Sequence, residues 1–351
     1  MDDGGIGMQL NLPLWRPQAM AAGTRPGLLR RAAAGAWHSR DAAVMGTAIH
    51  VELWAESRAQ AEAGIAAVMA EMHRIDAAYS PHKPDSELSR INRDACRHPV
   101  PVSEETYTLL ARAQAFAELS DGAFDITYAA VGRLYDYRRG VAPDDAALAA
   151  ARTHVGWRGL LLDPATRSVC FARRGMCIDL GGFAKGHAVD GAVARLKGLG
   201  IRHAYVSAGG DSRVLGDRRG RPWSVAVRHP RQADGVAALL PLEDCAVSTS
   251  GDYERGFDRD GVRHHHLIDP ATGRSPQAVH SVTVIADDGL TAEALGKVLF
   301  VRGVAHGMAL LAQVPGADAL LIDAQGRLHH SPGLQAPGLA PAAGATPEDM
   351  R

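Results

Sequence analysis

Apolar and polar residues alternate along several short stretches of the chain, and this pattern predicts β-strands. The first stretch, Val44–Trp54, alternates over most of its length. Shorter apolar runs bounded by turn residues predict further strands at His203–Ser207, Trp223–Arg228, Val282–Ile285 and Ala319–Asp323. Another strand is predicted to end at Asp179, where a short apolar run meets two glycines.

Apolar residues that recur every three to four positions predict helices between these strands. Ser57–Asp76 is alanine-rich with this period, and Ser103 is placed to cap a second helix that begins with two glutamates. Further helices are predicted at Ala184–Leu199, Thr291–Val301 and Val304–Val314. Together these elements predict an α+β fold with mixed or antiparallel sheets and packed helices.

The chain has 351 residues, a length that allows one large domain or two. No internal repeat divides it, so we predict a single domain over residues 41–330. Residues 1–40 are rich in Gly, Pro, Ala and Arg without a period, which predicts a poorly ordered extension. Residues 331–351 form a Pro/Ala-rich stretch that is predicted to be a disordered tail.

Composition and charge exclude several classes of function. Hydrophobic residues make up 46% of the chain and charged residues 22%, which predicts a soluble globular protein. A net charge of −1 and an aromatic content of 5% give no support for binding to nucleic acid. The four cysteines form no Cys-x-x-Cys pair and the sixteen histidines show no zinc-like spacing, so neither a disulfide set nor a zinc site is predicted.

Location is predicted from the lack of targeting signals. No stretch approaches the roughly 20 apolar residues of a membrane span, so none is predicted. The first residues are acidic, and neither a clear signal peptide nor a lipobox cysteine is present. We therefore expect a cytoplasmic protein, with a periplasmic location as the alternative.

The most informative stretch is Cys177–Asp190, in which an aspartate and two glycines precede a helix with a lysine in its first turn. A helix N-terminus carries partial positive charge and exposed N–H groups, so Lys185 is unfavourable there unless an anion is bound. Gly181 and Gly182 let the backbone approach that anion closely. The pattern therefore indicates a site for a phosphate-containing ligand. The alternative is an ordinary strand–turn–helix connection with a solvated lysine.

Several segments together resemble, in order and spacing, the ApbE family of FAD:protein FMN transferases. They are Met45–Thr47, Ser80–Asn92, Asp121–Thr127, Asp179–Gly186, Ser207–Asp211, Ser248–Tyr253 and His266–Gly273. Each segment alone is a weak signal, whereas their common order is a strong one. The resemblance covers about residues 44–325 and implies an ApbE-like, T-fold-related single catalytic domain.

The resemblance also implies which residues contact FAD. They are Met45, His82, Ala123, Phe124, Asp125, Asp179, Lys185 and Ile268. His82 stands where relatives often carry an aromatic ring, and imidazole stacks more weakly. His266, with Lys185 and Asp179, is the implied catalytic set, His266 assisting proton transfer or phosphate binding. The residues alone leave structural roles open, with Asp125 as a turn cap and His266 as a structural histidine at a strand end.

The chain departs from the family at the implied metal site. The family pattern Ala-Asp-Ala-x-x-Thr, whose Asp and Thr hold Mg²⁺ with a backbone carbonyl, here reads Ala292-Glu-Ala-Leu-Gly-Lys297. The implied ligands are then Glu293 and the Gly182 carbonyl, but Lys297 replaces the threonine and has no lone pair for a cation.

Four interpretations of this departure are open. The Lys297 ammonium takes the place of the metal, or a metal still binds nearby through Glu293 and Gly182. In the third interpretation the transferase activity is lost, and the protein is a homologue that only binds flavin. The fourth interpretation is an ordinary i,i+4 salt bridge between Glu293 and Lys297 on a helix surface. The first is favoured, and it predicts that chelation of metal leaves the activity intact.

The resemblance implies a reaction in which FAD is the substrate. FMN is transferred to a Thr or Ser hydroxyl of a partner flavoprotein, and AMP is released. The alternatives are a pyrophosphatase that hydrolyses FAD to FMN and AMP, and a non-catalytic FAD-binding protein. Mg²⁺ is expected from the family and is in doubt for this chain.

Overall fold

The computed structural model describes residues 35–334, so most of the predicted extension and tail lies outside the described residues. The strands are β1 Ala36–Val44, β2 Thr47–Ala55, β3 Val100–Pro101, β4 Leu160–Asp163, β5 Ser168–Phe171, β6 Ala204–Ala208, β7 Asp211–Leu215, β8 Trp223–Arg228, β9 Val236–Leu242, β10 Ala246–Gly251, β11 Gly256–Arg259, β12 Val262–His265, β13 Val279–Ala286, β14 Ala317–Asp323 and β15 Leu328–His330. The helices are α1 Arg58–Tyr79, α2 Glu87–Asp94, α3 Glu104–Leu119, α4 Ala129–Gly132, α5 Asp145–Arg152, α6 Ala184–Gly198 and α7 Gly289–Leu311.

An eight-stranded sheet of order β1-β2-β6-β7-β10-β13-β14-β15 forms the centre of the fold, and its neighbouring strands are all antiparallel. Helices α1, α6 and α7 pack on one face and build the main core. The hairpin β8-β9 packs on the other face in a second core that contains Trp223, Val247 and Ile285. A small sheet β3-β5-β4 and the hairpin β11-β12 complete the fold. The predicted α+β class is confirmed.

Strand β10 places two hydroxyl groups beside helix α7. Successive side chains of a strand point to opposite faces of the sheet. Val247 accordingly lies in the second core, whereas Ser248 and Ser250 face α7. Gly296 permits a close approach of that helix, because a Cβ there would lie 3.1 Å from Ser250 Oγ.

The predicted strand Val44–Trp54 is interrupted at its start by a tight turn between β1 and β2. Met45 has φ 55° and Gly46 has φ 66°, so both residues are left-handed. Glycine adopts this conformation freely, whereas a methionine there is unusual. The alternation of apolar and polar residues runs through the turn, which is why the pattern did not reveal it.

Regular structure continues a few residues beyond both ends of the predicted domain. Strand β1 begins at Ala36, so residues 36–40 of the predicted extension belong to the main sheet. At the other end, residues Pro332–Leu334 of the predicted tail form a 3₁₀ turn, and Leu334 is buried in the second core. The hydrophobic pattern was too short at either end to show these contacts.

Serine side chains cap the starts of two of the predicted helices, α1 and α3. Ser57 Oγ accepts a hydrogen bond from Gln60 N at 3.2 Å, and Ser103 Oγ accepts one from Thr106 N at the same distance. The two helices predicted on either side of Gly303 are both present as the two halves of α7, and they meet at a break in the helical backbone. Gly303 has φ 70° and ψ −176°, and this non-helical residue forms the kink.

Helix α7 is long and apolar enough to cross a membrane by length and composition, although no span was predicted from the sequence. Its side chains nevertheless belong to the core, where Val298, Leu299 and Phe300 are fully buried. The helix packs on β10, β13 and α6. We therefore describe α7 as the central core helix of the domain.

Helices α6 and α7 touch through their backbones at the start of both helices. A Cβ on Gly186 would overlap the Gly289 carbonyl, and a Cβ on Gly289 would lie 2.6 Å from Gly186 O. Only residues without side chains fit such a crossing. This contact fixes the start of α6, which borders the site described below, against α7.

Replacing Gly186 with alanine is expected to lower the free energy of unfolding by about 1–3 kcal/mol, because the methyl group meets backbone that cannot rotate away. The matched control is Gly198→Ala in the same helix, where no atom lies within 4 Å of the added Cβ. That variant is expected to be stabilised by up to about 1 kcal/mol. Urea denaturation checks both, and equal effects would contradict the close crossing.

Candidate functional site

A cleft of about 1270 Å³ lies where the end of α1, the start of α6 and the loops around β10 meet. The eight predicted FAD contacts all line it, namely Met45, His82, Ala123, Phe124, Asp125, Asp179, Lys185 and Ile268. His266, Gly182 and Lys297 line it too. Glu293 is fully buried and lies behind the wall of the cleft. Residues from distant parts of the sequence therefore converge on a single site.

The Asp179 loop has no regular secondary structure, so the predicted strand that ends at Asp179 is not present. Asn92 holds this loop instead: its side chain donates to Ile178 O at 2.9 Å and accepts from Ile178 N at 2.7 Å. The Asp179 carboxylate accepts from Gly181 N at 2.6 Å. Asn92 ends the Ser80–Asn92 segment, but nothing in its own sequence context indicated this positioning role.

Asp125 caps a turn and also lines the cleft. Its Oδ1 accepts from Thr127 N at 2.8 Å and from Thr127 Oγ1 at 2.7 Å, and Oδ2 accepts from Trp157 N at 2.8 Å. Burial raises the pKa of this carboxyl above its ordinary value, although the three hydrogen bonds act to lower it. The structural alternative considered for Asp125 is therefore observed, and a ligand would share a carboxylate that already has three donors.

The remaining predicted contacts differ in exposure. His82 is exposed at the rim, so its ring is free to stack on a ligand. Phe124 packs edge-on against Phe183, with ring centroids 5.7 Å apart, and forms an apolar part of the wall. Ile268 is buried in a small core with Val131 and offers little surface to the cleft.

The sequence indicated a lysine at position 185 whose charge is available to a phosphate, whereas in the structure Lys185 is paired with two carboxylates. Its Nζ contacts the Glu293 carboxylate, lies 3.1 Å from Asp211 Oδ2 and donates to Gly181 O at 3.2 Å. Burial alone would lower the pKa of Lys185, but the two carboxylates hold it above its ordinary value. Asp211 was missed as a site residue, although it ends the segment Ser207–Asp211 that carried the resemblance.

Glu293 provides the anion that the start of α6 was predicted to need. Its Oε2 accepts from Gly186 N, in the first turn of α6, at 2.8 Å. A carboxylate at a helix N-terminus is favourable because of the partial positive charge there. The anion at this terminus is therefore a protein side chain from α7 rather than the phosphate of a ligand.

Lys297 lies one turn after Glu293 and faces the cleft. Its Nζ donates to Ser250 Oγ at 2.9 Å and lies 3.9 Å from Glu293 Oε1. The predicted i,i+4 ion pair of Glu293 and Lys297 is therefore present, but it is buried rather than on a helix surface, and Glu293 contacts Lys185 more closely. Burial lowers the pKa of Lys297 below its ordinary value. The negative charges of Glu293 and Asp211 act to raise it but offset only part of this effect.

His266 is a neutral histidine at the cleft wall. Its buried Nδ1 atom has no hydrogen-bond partner among the described residues. Burial and then the charge of Lys297 lower the pKa of His266 to about 3. An orphaned buried nitrogen costs about 1–3 kcal/mol, so a ligand or acceptor group that hydrogen-bonds to it would be stabilised.

Comparison with known proteins identifies the family. A sequence model of the ApbE family matches residues 45–321. The chain belongs to the ApbE family. The FAD:protein FMN transferase of Treponema pallidum is 35% identical over 316 residues, which are 85% of this chain and 87% of the relative. That of Vibrio cholerae is 35% identical over 246 residues, 68% of this chain and 73% of the relative.

Solved ApbE structures share the fold. The ApbE protein of Thermotoga maritima superposes with a TM-score of 0.78 at 35% identity, covering 85% of this chain and 97% of that protein. The flavin transferase ApbE of Vibrio cholerae gives a TM-score of 0.77 at 29% identity, covering 86% and 98%. The predicted ApbE-like fold is therefore confirmed.

The residues at the implied metal position of this ApbE protein do not fit Mg²⁺. Magnesium requires near-octahedral oxygen ligands. Here Glu293 binds an ammonium and a backbone N–H, and Lys297 stands in place of a ligand. Within residues 35–334, no group of three or more His, Cys, Asp or Glu residues is placed to hold a metal. The Gly182 carbonyl would have to bind the ion beside two ammonium groups.

The neutral state of His266 predicts a pH dependence of stability. Below pH 6.5 the unfolded chain protonates this histidine, while the folded protein does so only near pH 3. The unfolded state then binds more protons, so stability is lost as the pH falls from 6.5 towards 3. Between pH 6.5 and 5 the wild type is expected to lose about 2 kcal/mol more than His266→Asn. Urea denaturation at both pH values checks this, and equal losses would contradict a neutral His266.

Proposed function

We propose that this protein is an FAD:protein FMN transferase, which moves FMN from FAD to a Thr or Ser hydroxyl of a partner flavoprotein and releases AMP. The observation that carries the proposal is the convergence on one cleft of all eight predicted FAD contacts, Lys185 among them, with a second lysine, Lys297, and a neutral histidine, His266. The relatives that match most of this chain are named for the same activity.

The reaction requires one bond to form and one to break. The acceptor oxygen forms a bond to the phosphorus on the riboflavin side of FAD, and the bond from that phosphorus to the bridging oxygen breaks. AMP leaves with the bridging oxygen and its electron pair, and the hydroxyl proton passes to a base. Such transfers depend on positioning and on electrostatic stabilisation of phosphate charge.

The residues of the cleft suit these tasks. His266 is neutral, and a bound pyrophosphate would offset the Lys297 charge that helps to lower its pKa, so that the imidazole is able to take the proton of the acceptor hydroxyl. Lys185 is fixed by Asp211 and Glu293 beside the Gly181–Gly182 turn, where its charge reaches into the cleft. Asp179 holds that turn through Gly181 N. His82, Phe124 and Met45 supply the surface against which the flavin or adenine ring would lie.

A flavinylation assay tests the proposal. The purified protein is mixed with FAD and an acceptor flavoprotein domain, and the denatured acceptor is examined for covalent flavin fluorescence. A control acceptor carries Ala or Val at the candidate Thr or Ser. Labelling of the first acceptor but not of the second, with release of one AMP per flavin attached, is the expected result.

Two alternatives are distinguished by the same assay. Release of FMN and AMP without any labelled acceptor would identify a pyrophosphatase that uses water in place of the hydroxyl. Tight FAD binding with neither product, for a panel of acceptors, would identify a non-catalytic FAD-binding protein. Either outcome would overturn the transferase proposal.

A further inference from the structure

Two lysines share the centre of the cleft, but only Lys185 is closely matched by carboxylates. Lys185 contacts both Glu293 and Asp211, so these two buried carboxylates already have a cationic partner. Lys297 lies 3.9 Å from Glu293 Oε1, the oxygen that Lys185 contacts. The charge of Lys297 therefore has weaker compensation from the protein.

The hydrogen bonds of Lys297 also leave capacity for a ligand. An ammonium group has three N–H donors. Within the part of the chain that the structure describes, the hydrogen bond recorded for Lys297 Nζ goes to the Ser250 hydroxyl. The Lys297 side chain is 18% exposed and lines the cleft, so the ammonium borders space that a ligand would fill.

Ser250 fixes the position of this ammonium, and Ser248 fixes the nearby carboxylate of Asp211. Ser248 Oγ donates to Asp211 Oδ1 at 2.6 Å, and Ser250 Oγ accepts from Lys297. Both hydroxyls stand on β10 and face α7, and Gly296 lets the helix lie close enough for the contact. Strand and helix thus hold Lys297 in place before any ligand binds, as electrostatic stabilisation of a transition state requires.

We propose that the Lys297 ammonium is a built-in cation that binds the FAD pyrophosphate and stabilises the charge that develops as AMP departs, so that FMN transfer needs no divalent metal. This inference rests on the proposed transferase activity. One ammonium carries half the charge of Mg²⁺, and because Asp211 and Glu293 already match Lys185 on the same wall, Lys297 is the less compensated of the two cations there. An anionic pyrophosphate would in turn favour the charged form of Lys297.

The first test measures metal dependence in the flavinylation assay. Protein stripped of metal is assayed with EDTA and, separately, with MgCl₂. Equal rates of acceptor labelling are expected. Loss of labelling in EDTA, with full recovery on addition of Mg²⁺, would overturn the inference while leaving the transferase proposal intact.

The second test compares variants of Lys297. Lys297→Met is expected to lower the rate of transfer about 100-fold, as does removal of one donor to a transition-state oxyanion, and Lys297→Arg is expected to retain part of it. The matched control is Lys197→Met on the exposed end of α6, which leaves the rate unchanged. Equal rates for Lys297→Met and the wild type would overturn the inference.

A third test measures metal binding directly and does not depend on an activity assay. Binding of Mn²⁺ alone, followed by electron paramagnetic resonance, is expected to be undetectable for the wild type at millimolar metal. The double variant Glu293→Asp/Lys297→Thr, which restores the family pattern, is expected to bind Mn²⁺. Tight binding by the wild type would contradict the inference.

Failure of the transferase proposal leaves the inference testable. If no acceptor is labelled, FAD binding is measured by quenching of flavin fluorescence in EDTA. At least 10-fold weaker binding by Lys297→Met than by Lys197→Met would support the ammonium–pyrophosphate contact. Unchanged binding, or wild-type binding that requires added Mn²⁺, would overturn it.

Discussion

Replacing Lys185 with methionine is expected to lower the free energy of unfolding by about 3–5 kcal/mol, because the change leaves two buried carboxylates without their cation. Glu293 is fully buried and the Asp211 side chain is 4% exposed, so water cannot take over the lost interaction. Lys297 lies too far from Glu293 to replace it without moving off Ser250. Urea denaturation at pH 7.5 measures the loss.

Two further variants identify the cause of this loss. Lys197→Met removes an exposed lysine from the same helix and is expected to change stability by less than about 0.5 kcal/mol. Adding Glu293→Gln to Lys185→Met is expected to recover part of the loss, because the buried charge disappears while an oxygen still accepts from Gly186 N. A double variant as unstable as the sum of its parts would contradict the ion pair as the source.

Local signals predicted much of the fold. Ser57 and Ser103 each carry a side-chain oxygen that caps the first turn, and both helices begin where these residues stand. Trp223–Arg228 is a strand with the predicted bounds, because turns on both sides delimit its alternating residues. The turn at Met45 was missed because a non-glycine residue there adopts a left-handed conformation that no local pattern signals.

The sequence predicted residues that share one cleft, but not the contacts among them. The motifs bring the predicted FAD contacts together there, since each motif lies at the end of a regular element. The pairing of Lys185 with Glu293 joins residues 108 positions apart, and no spacing rule reveals such a contact. The i,i+4 spacing of Glu293 and Lys297 predicted an exposed pair, whereas the pair is buried at 3.9 Å, because the sequence does not show which helix face is buried.

The role of Asp211 illustrates the same limit. In the sequence it follows two glycines and is typical of a turn. In the structure it begins β7 and is 3% exposed. Its carboxylate accepts a hydrogen bond from the Ser248 hydroxyl and forms an ion pair with the Lys185 ammonium. Its function is set by three elements that meet only after folding.

Replacing His266 with asparagine is expected to reduce the rate of FMN transfer by about 10²–10⁴-fold, the range for loss of a general base. Asparagine keeps a polar group near the buried Nδ1 position but cannot take up a proton. FAD binding is therefore expected to change much less than turnover. Single-turnover labelling of the acceptor, together with an FAD titration, separates the two effects.

The control for this variant is His264→Asn, two residues earlier, which removes a ring that stacks on Phe257 at a centroid distance of 5.0 Å and does not line the cleft. Its transfer rate should match that of the wild type. A His266→Asn rate within 3-fold of the control would show that His266 is structural and that the proton of the acceptor leaves by another route. A large loss of rate with FAD affinity retained would instead place the imidazole at the transferring proton, because a purely structural change in the wall would weaken binding as well.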